Sequence, residues 1–244
     1  MKQALILGAT SDIARRISIQ LAEKGYDLYL TGQNMQLLEE LKNDILVLYN
    51  IKILLFFFNI KDFASHEALY QKLEVKPDIV FCCIGYYKDQ IKARNDFGEL
   101  YDTIAINYLG VLSILNIISN DFEKRRTGTI VVLSSVAGVR GRQLNYIYGS
   151  AKAGLTTYLS GLRNRLFKYN VHVCSIILGP VYTKMSHGHN LFPFITLTPE
   201  VAARKIINAG LNKKDSVYIF WVWRYIMFLI DMIPEWIFKR LKPF

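Results

Sequence analysis

The residues of this chain best suited to chemistry lie within 131–155, a stretch reading VVLSSVAGVRGRQLNYIYGSAKAGL. Tyr148 and Lys152 are four positions apart, so on a helix both project from one face and reach the same bound molecule. A phenol beside an ammonium has a use, because the positive charge favours phenolate and pulls down a pKa of about 10. Such a tyrosine is a candidate acid/base near neutral pH. Ser135, at the end of the preceding β-branched run, adds a hydroxyl if the chain folds back across the intervening turn. In isolation a Tyr-x-x-x-Lys spacing reads as a packed tyrosine and a solvated lysine. The opposite end of the chain changes that reading.

Residues 4–7 form a short apolar run, Gly8-Ala9-Thr10-Ser11-Asp12 a turn, and 13–21 a pattern of helical period, giving strand, turn and helix in succession. A turn of this kind aims backbone N–H groups and a helix N-terminus at an anion such as a pyrophosphate. Further apolar runs at 27–31, 51–58, 78–84 and 171–178 alternate with helical segments. The alternation predicts parallel crossovers, hence a single-domain α/β fold with a doubly wound, mainly parallel Rossmann-type sheet and helices on both faces. The segment 100–122 has helical spacing with Asn107 inside it. An asparagine is disfavoured there by propensity, so it is either exposed or has a specific task.

Ser135, then Tyr148, then Lys152 resembles the active-site signature of the short-chain dehydrogenase/reductase family, and the likeness extends over nearly the whole chain. The resemblance implies hydride transfer between a nicotinamide and a carbonyl or alcohol carbon. In it Tyr148 is the proton donor, and Ser135 hydrogen-bonds the same substrate oxygen. Lys152 holds the nicotinamide ribose and lowers the Tyr148 pKa. Asn107 kinks its helix and holds a water that connects Lys152 to solvent. The implied cofactor site comprises Gly8, Thr10, Ser11, Asp12, Ile13, Gln33, Asn59, Gly85, Val181 and Thr183 together with Tyr148 and Lys152.

The chain departs from the family pattern in places. The usual Thr-Gly-x-x-x-Gly-x-Gly becomes Leu7-Gly8-x-x-x-Asp12-x-Ala14, and Asp12 is expected to cap the helix and turn its charge away from phosphates. Cys82-Cys83-Ile84-Gly85 replaces Asn-Asn-Ala-Gly, and Leu178 replaces the proline before Gly179-Pro180-Val181-Tyr182-Thr183. Gly32 and Gln33 stand where an acid would hold the ribose hydroxyls of NAD, or an arginine the 2′-phosphate of NADP. The cofactor is therefore NADP(H) or NAD(H), leaning toward NADP(H). Asn59 stands where the family often has an aspartate for the adenine amino group, and its amide oxygen can accept the same bond.

A chain of 244 residues suits one domain with a sizeable core. Cys82, Cys83 and Cys174 sit in apolar runs without metal-ligand spacing, as buried thiols of a reducing compartment do. The net charge of +10 is scattered and carries no nucleic-acid motif, so nucleic acid is not an expected partner. The first residues run directly into a strand without a signal-peptide pattern, which predicts a cytoplasmic location. Expected partners are a small carbonyl or alcohol substrate and copies of the chain in a homodimer or homotetramer.

Residues 184–197, with Gly188, Pro193 and no clear period, read as a substrate loop. The tail, 217–244, is dominated by aromatic and aliphatic residues, but Arg224, Asp231 and Pro234 interrupt it, which disfavours a full spanning helix. It reads as a last strand and helix closing the core or a subunit interface. Its other reading is an interfacial segment with Lys239, Arg240 and Lys242 facing anionic lipid on the inner face of a membrane. With Arg140-Gly141-Arg142, the tail is similar to that of reductases acting on polyprenyl-phosphoryl keto-pentoses, which implies a lipid-linked or phosphorylated sugar substrate. Arg140 and Arg142 are the candidate phosphate ligands; pairing with acids of a neighbouring subunit is their alternative use. A cofactor-binding regulatory protein with little turnover and a membrane-peripheral scaffold are the non-enzymatic readings.

Overall fold

Runs such as Ala4-Leu5-Ile6-Leu7 and Val131-Val132-Leu133 are apolar at every position, so their strands must be covered on both faces. The computed structural model describes residues 2–186 and 192–241, and it meets that requirement by alternation. The elements are β1 (Lys2–Leu7), α1 (Asp12–Glu23), β2 (Tyr26–Gly32), α2 (Met35–Leu46), β3 (Ile53–Phe57), α3 (Ser65–Gln71), β4 (Ile79–Cys82), α4 (Gln90–Asn95), α5 (Phe97–Ile104), α6 (Gly110–Arg125), β5 (Thr129–Ser135), α7 (Tyr146–Phe167), β6 (His172–Leu178), α8 (Pro199–Leu211), β7 (Ser216–Tyr218), α9 (Val222–Met232) and α10 (Glu235–Phe238).

The strands form one sheet in the order β3-β2-β1-β4-β5-β6-β7, with every pair parallel. Successive residues of β1 enter opposite cores. Ala4 and Ile6 pack with Ile17 of α1, Leu41 of α2 and Ile206 of α8. Leu5 and Leu7 pack with Ile114 of α6 and Leu159 of α7. The chain winds outward from β1 to β3 and returns to place β4 on the other side of β1. That reversal opens a crevice at the carboxyl ends of β1 and β4, where Gly8 and residues 83–85 lie.

Some elements differ from the sequence reading. Helix α1 is capped by Ser11, whose hydroxyl accepts the Ala14 N–H at 3.3 Å. Asp12 is the first helical residue, and its carboxylate accepts the Lys184 N–H at 2.7 Å. The helix expected at 100–122 runs from 97 to 125, with a π turn at Ala105–Leu109. Its length and composition would suffice to cross a bilayer, but half of its most apolar stretch is buried inside the fold. In the tail, Trp223 and Met227 of α9 pack on Val136 and Ile177. Its opposite face remains exposed. Gly188 and Lys242 lie outside the described residues.

Candidate active site

Strand β5 delivers Ser135, and the turn after it folds back so that the first turn of α7 faces it. Gly138 and Gly149 permit this approach: a Cβ on Gly138 would lie 2.7 Å from the Ala153 nitrogen, and one on Gly149 would lie 2.7 Å from the Ala137 oxygen. The Ser135 side chain reaches the Tyr148 hydroxyl closely enough to oppose the rise of its pKa, and its Oγ accepts the Ala137 N–H at 3.1 Å. One helical turn on, the Lys152 ammonium donates to the Leu133 carbonyl at 3.1 Å and the Ile84 carbonyl at 3.5 Å. Tyr148, Lys152, the turn and first residues of α1, the segment after β4 and the ends of β5 and β6 wall a cavity of about 300 Å³.

The electrostatics differ from the sequence expectation. Burial pushes the Tyr148 phenol up to about 12, with the Ser135 side chain opposing the rise and Tyr87 adding to it. Burial pushes Lys152 down to about 8, against the opposing influence of Cys82 and Cys83. Desolvation thus outweighs the mutual stabilisation expected of the pair. Among the rivals by residue type, Ser134 is bonded to Thr156 at 2.7 Å, and Tyr146 is exposed.

Asn107 lies fully buried in the π turn. Its amide donates to the Tyr86 carbonyl at 2.7 Å and the Thr103 carbonyl at 2.9 Å, and its oxygen accepts the Tyr86 N–H at 3.1 Å. Both N–H bonds of the amide therefore go to protein carbonyls, and the segment after Gly85 is tied to the helix. Tyr87, next in that segment, stands edge-on to Tyr148 with ring centroids 5.4 Å apart.

Thr10, Ser11, Asp12, Ile13, Gly85 and Thr183 line the cavity with Tyr148 and Lys152. A second cavity, of about 490 Å³, shares Thr10, Ser11, Cys83, Ile84 and Gly85 with the first and extends along Gly8 to Gln33. The two together form an elongated groove over the N-terminus of α1, which suits an extended dinucleotide with an anionic centre. Gly8 has φ of 79°, and a Cβ there would lie 3.1 Å from Ile84. At the far end Asn59 is already engaged: its amide oxygen accepts from Gln33 at 3.0 Å and from the Lys61 N–H at 3.1 Å. Ser186 gathers the other wall, donating to the Val181 carbonyl at 2.8 Å and accepting the Thr183 N–H at 3.0 Å.

The model of the short chain dehydrogenase family matches residues 2–192 of this chain. The chain belongs to that family. It is an NAD(P)-dependent oxidoreductase. An uncharacterized oxidoreductase of Mycobacterium tuberculosis is 28% identical over 240 residues, covering 97% of this chain and 96% of that protein. A fatty acyl-CoA reductase of Acinetobacter baylyi is 26% identical over 222 residues, covering 88% and 75%. The crystal structure of a short chain dehydrogenase from Burkholderia cenocepacia in complex with NADP superposes with a TM-score of 0.85 over 100% of both chains, at 17% identity.

The two arginines of this dehydrogenase separate in space. Arg140, read from sequence as flanking the substrate mouth, turns onto the tail instead. Its Nη1 donates to the carbonyls of Ile230, Asp231 and Ile233 at 2.6, 3.0 and 2.6 Å, and its Nη2 pairs with Glu235 at 3.1 Å. The end of a helix offers unsatisfied carbonyls, and a guanidinium satisfies several at once. Arg142 stays beside Tyr87, with burial lowering its pKa. Among the described residues, its Nε is buried without a hydrogen-bond partner, as are Gln90 Nε2 and Asn145 Oδ1. The Gln90 oxygen accepts the Ile147 N–H at 3.1 Å and thereby steadies the start of α7. Sequence reasoning passed over Tyr87, Gln90, Met185 and Ser186. Only the aromatic pair Tyr86-Tyr87 directly after Gly85 offered a signal in the chain itself.

Proposed function

We propose that this dehydrogenase transfers a hydride between NADP(H), in preference to NAD(H), and the carbonyl or alcohol carbon of a substrate bearing an apolar chain and an anionic group. The observation that carries the chemistry is that Tyr148 and Lys152 line the same cavity, with the Ser135 side chain acting on the Tyr148 hydroxyl. Held near 12, the Tyr148 phenol stays protonated at physiological pH and is ready to give its proton to a developing alkoxide. Ser135 would hydrogen-bond the same oxygen and share the developing charge. The bound nicotinamide supplies the hydride. Lys152, fixed by two main-chain carbonyls, would hold the nicotinamide ribose. After reduction, the phenolate left on Tyr148 regains a proton from solvent.

The lean toward NADP(H) rests on the absence of a carboxylate at Gly32 and Gln33. The anionic group is assigned to Arg142, a half-buried guanidinium beside the Tyr87–Tyr148 pair that has no carboxylate partner among the described residues. The apolar chain fits the exposed apolar tail, and the Acinetobacter baylyi relative is, by name, a fatty acyl-CoA reductase, whose substrate is of the same lipid class. The lipid-linked, phosphorylated sugar suggested by the tail is one member of this substrate class. Tyr148→Phe tests the chemistry: cofactor affinity should hold while turnover falls by about a hundredfold or more. Near-normal turnover of the variant would refute Tyr148 as the proton donor.

A further inference from the structure

We infer that the outer face of the C-terminal helix pair docks on an anionic lipid bilayer, and that the active-site mouth is presented to that surface. Helix α9 is apolar on two opposite sides. Trp223 and Met227 face inward and are buried, whereas Trp221, Tyr225, Phe228, Leu229 and Met232, joined by Trp236 of α10, are 61–65% exposed. The outward residues of the first helix follow the spacing i, i+4, i+7, i+8 and i+11, which makes one continuous stripe. A helix apolar on both sides requires cover on both sides, and the described residues of the protein cover only one.

The chemistry of the stripe selects a bilayer. Trp221 and Tyr225 stand at one end and Trp236 at the other, with Phe228, Leu229 and Met232 between them. Amphipathic aromatics suit the headgroup level, and the aliphatic centre suits the acyl boundary. Arg224 of α9 and Lys239 and Arg240, just after α10, are exposed alongside Asp231 and Glu235; Glu235 is paired with Arg140, which leaves the patch net positive on a chain that carries +10. Two copies meeting through this patch about a two-fold axis would bring two net positive surfaces together, whereas anionic lipid complements the excess charge.

The surface is mechanically joined to the active site. Arg140, in the turn between Ser135 and Tyr148, grips the last carbonyls of α9. The Trp223 indole donates to the Ile195 carbonyl at 2.9 Å. Ile195 belongs to the loop whose beginning, Thr183 to Met185, walls the cavity, and its neighbours Phe192 and Phe194 are 72% and 92% exposed. A substrate with an apolar chain would then reach Tyr148 from the lipid phase. That last step rests on the proposed substrate class, while docking itself does not depend on turnover.

Flotation of the full chain with vesicles of phosphatidylcholine and phosphatidylglycerol in equal parts tests the inference. The protein should float with these vesicles, less with phosphatidylcholine alone, and its tryptophan emission should shift to the blue on binding. Phe228→Glu/Leu229→Glu should reduce the floating fraction about tenfold or more, because two carboxylates replace the centre of the stripe. NADPH binding by the variant should be retained, which verifies folding. Absence of flotation and of an emission shift in the wild type would overturn the inference. So would a variant that floats normally but forms a smaller oligomer by light scattering, which would assign the face to a second copy. Flotation without hydride transfer would refute the functional reading and leave docking standing.

Discussion

The ammonium of Lys152 stands over the face of the Tyr148 ring, 5.8 Å from its centroid, and hydrogen-bonds to main-chain carbonyls. Buried in this way, it has a pKa near 8 against 10.5 in the unfolded chain. The unfolded state therefore binds more protons between about pH 8 and 10, and cofactor-free stability should rise with pH across that window. Below pH 8 both states are protonated and the full penalty, on the order of 3 kcal/mol, is present. Lys152→Met should remove the rise and stabilise the cofactor-free protein at pH 7, as denaturant melts at each pH would show. Above pH 10 the raised Tyr148 pKa acts with the opposite sign. An anionic cofactor favours the ammonium, so NADPH affinity measured by fluorescence should weaken as pH rises through 8.

Asn107 should matter for stability and for turnover. Asn107→Ala leaves the Tyr86 N–H and the Tyr86 and Thr103 carbonyls without their present partner, and each buried orphan costs about 1–3 kcal/mol. A loss of roughly 3 kcal/mol or more in chemical denaturation is expected. The freed segment carries Tyr87, so kcat should fall as well, while Asn107→Asp should recover only part of either.

Cofactor choice is testable at the second strand. Wild type should bind NADPH at least as well as NADH. Gln33→Arg should raise the preference for NADPH about tenfold by adding a charge-assisted phosphate contact, and should also release Asn59 from its present bond. Direct titration of both cofactors measures this, and a strong wild-type preference for NADH would contradict the reading.

The arginines should give different phenotypes. Arg140→Ala removes a guanidinium shared by three carbonyls and Glu235, so the tail should become protease-sensitive. Arg142→Ala should raise KM for a phosphorylated or carboxylated substrate by about tenfold and leave a neutral analogue and NADPH binding unchanged. Equal effects on both substrates would remove the anion assignment.

Much of the architecture was legible in the chain because it rests on local pattern. Strands apolar at every position, alternating with helical periods, admit few folds other than a doubly wound parallel sheet, and the Tyr148–Lys152 spacing puts both on one helical face wherever that helix goes. Burial and pairing across long separations are different, because they depend on what the rest of the chain brings alongside. Tyr148 is raised by desolvation rather than lowered by Lys152, and the Lys152 ammonium is held by carbonyls nineteen and sixty-eight residues away. Arg140 and Arg142 look equivalent in sequence, yet one is held by a helix end about ninety residues on and the other is enclosed beside Tyr87. Asn107 announced a task without its object, since its partner Tyr86 is reached only when β4 and the kinked helix come together. The sequence could likewise show that the tail was apolar, but only packing of Trp223 and Met227 against the core decided which side of α9 was covered and which was left outward.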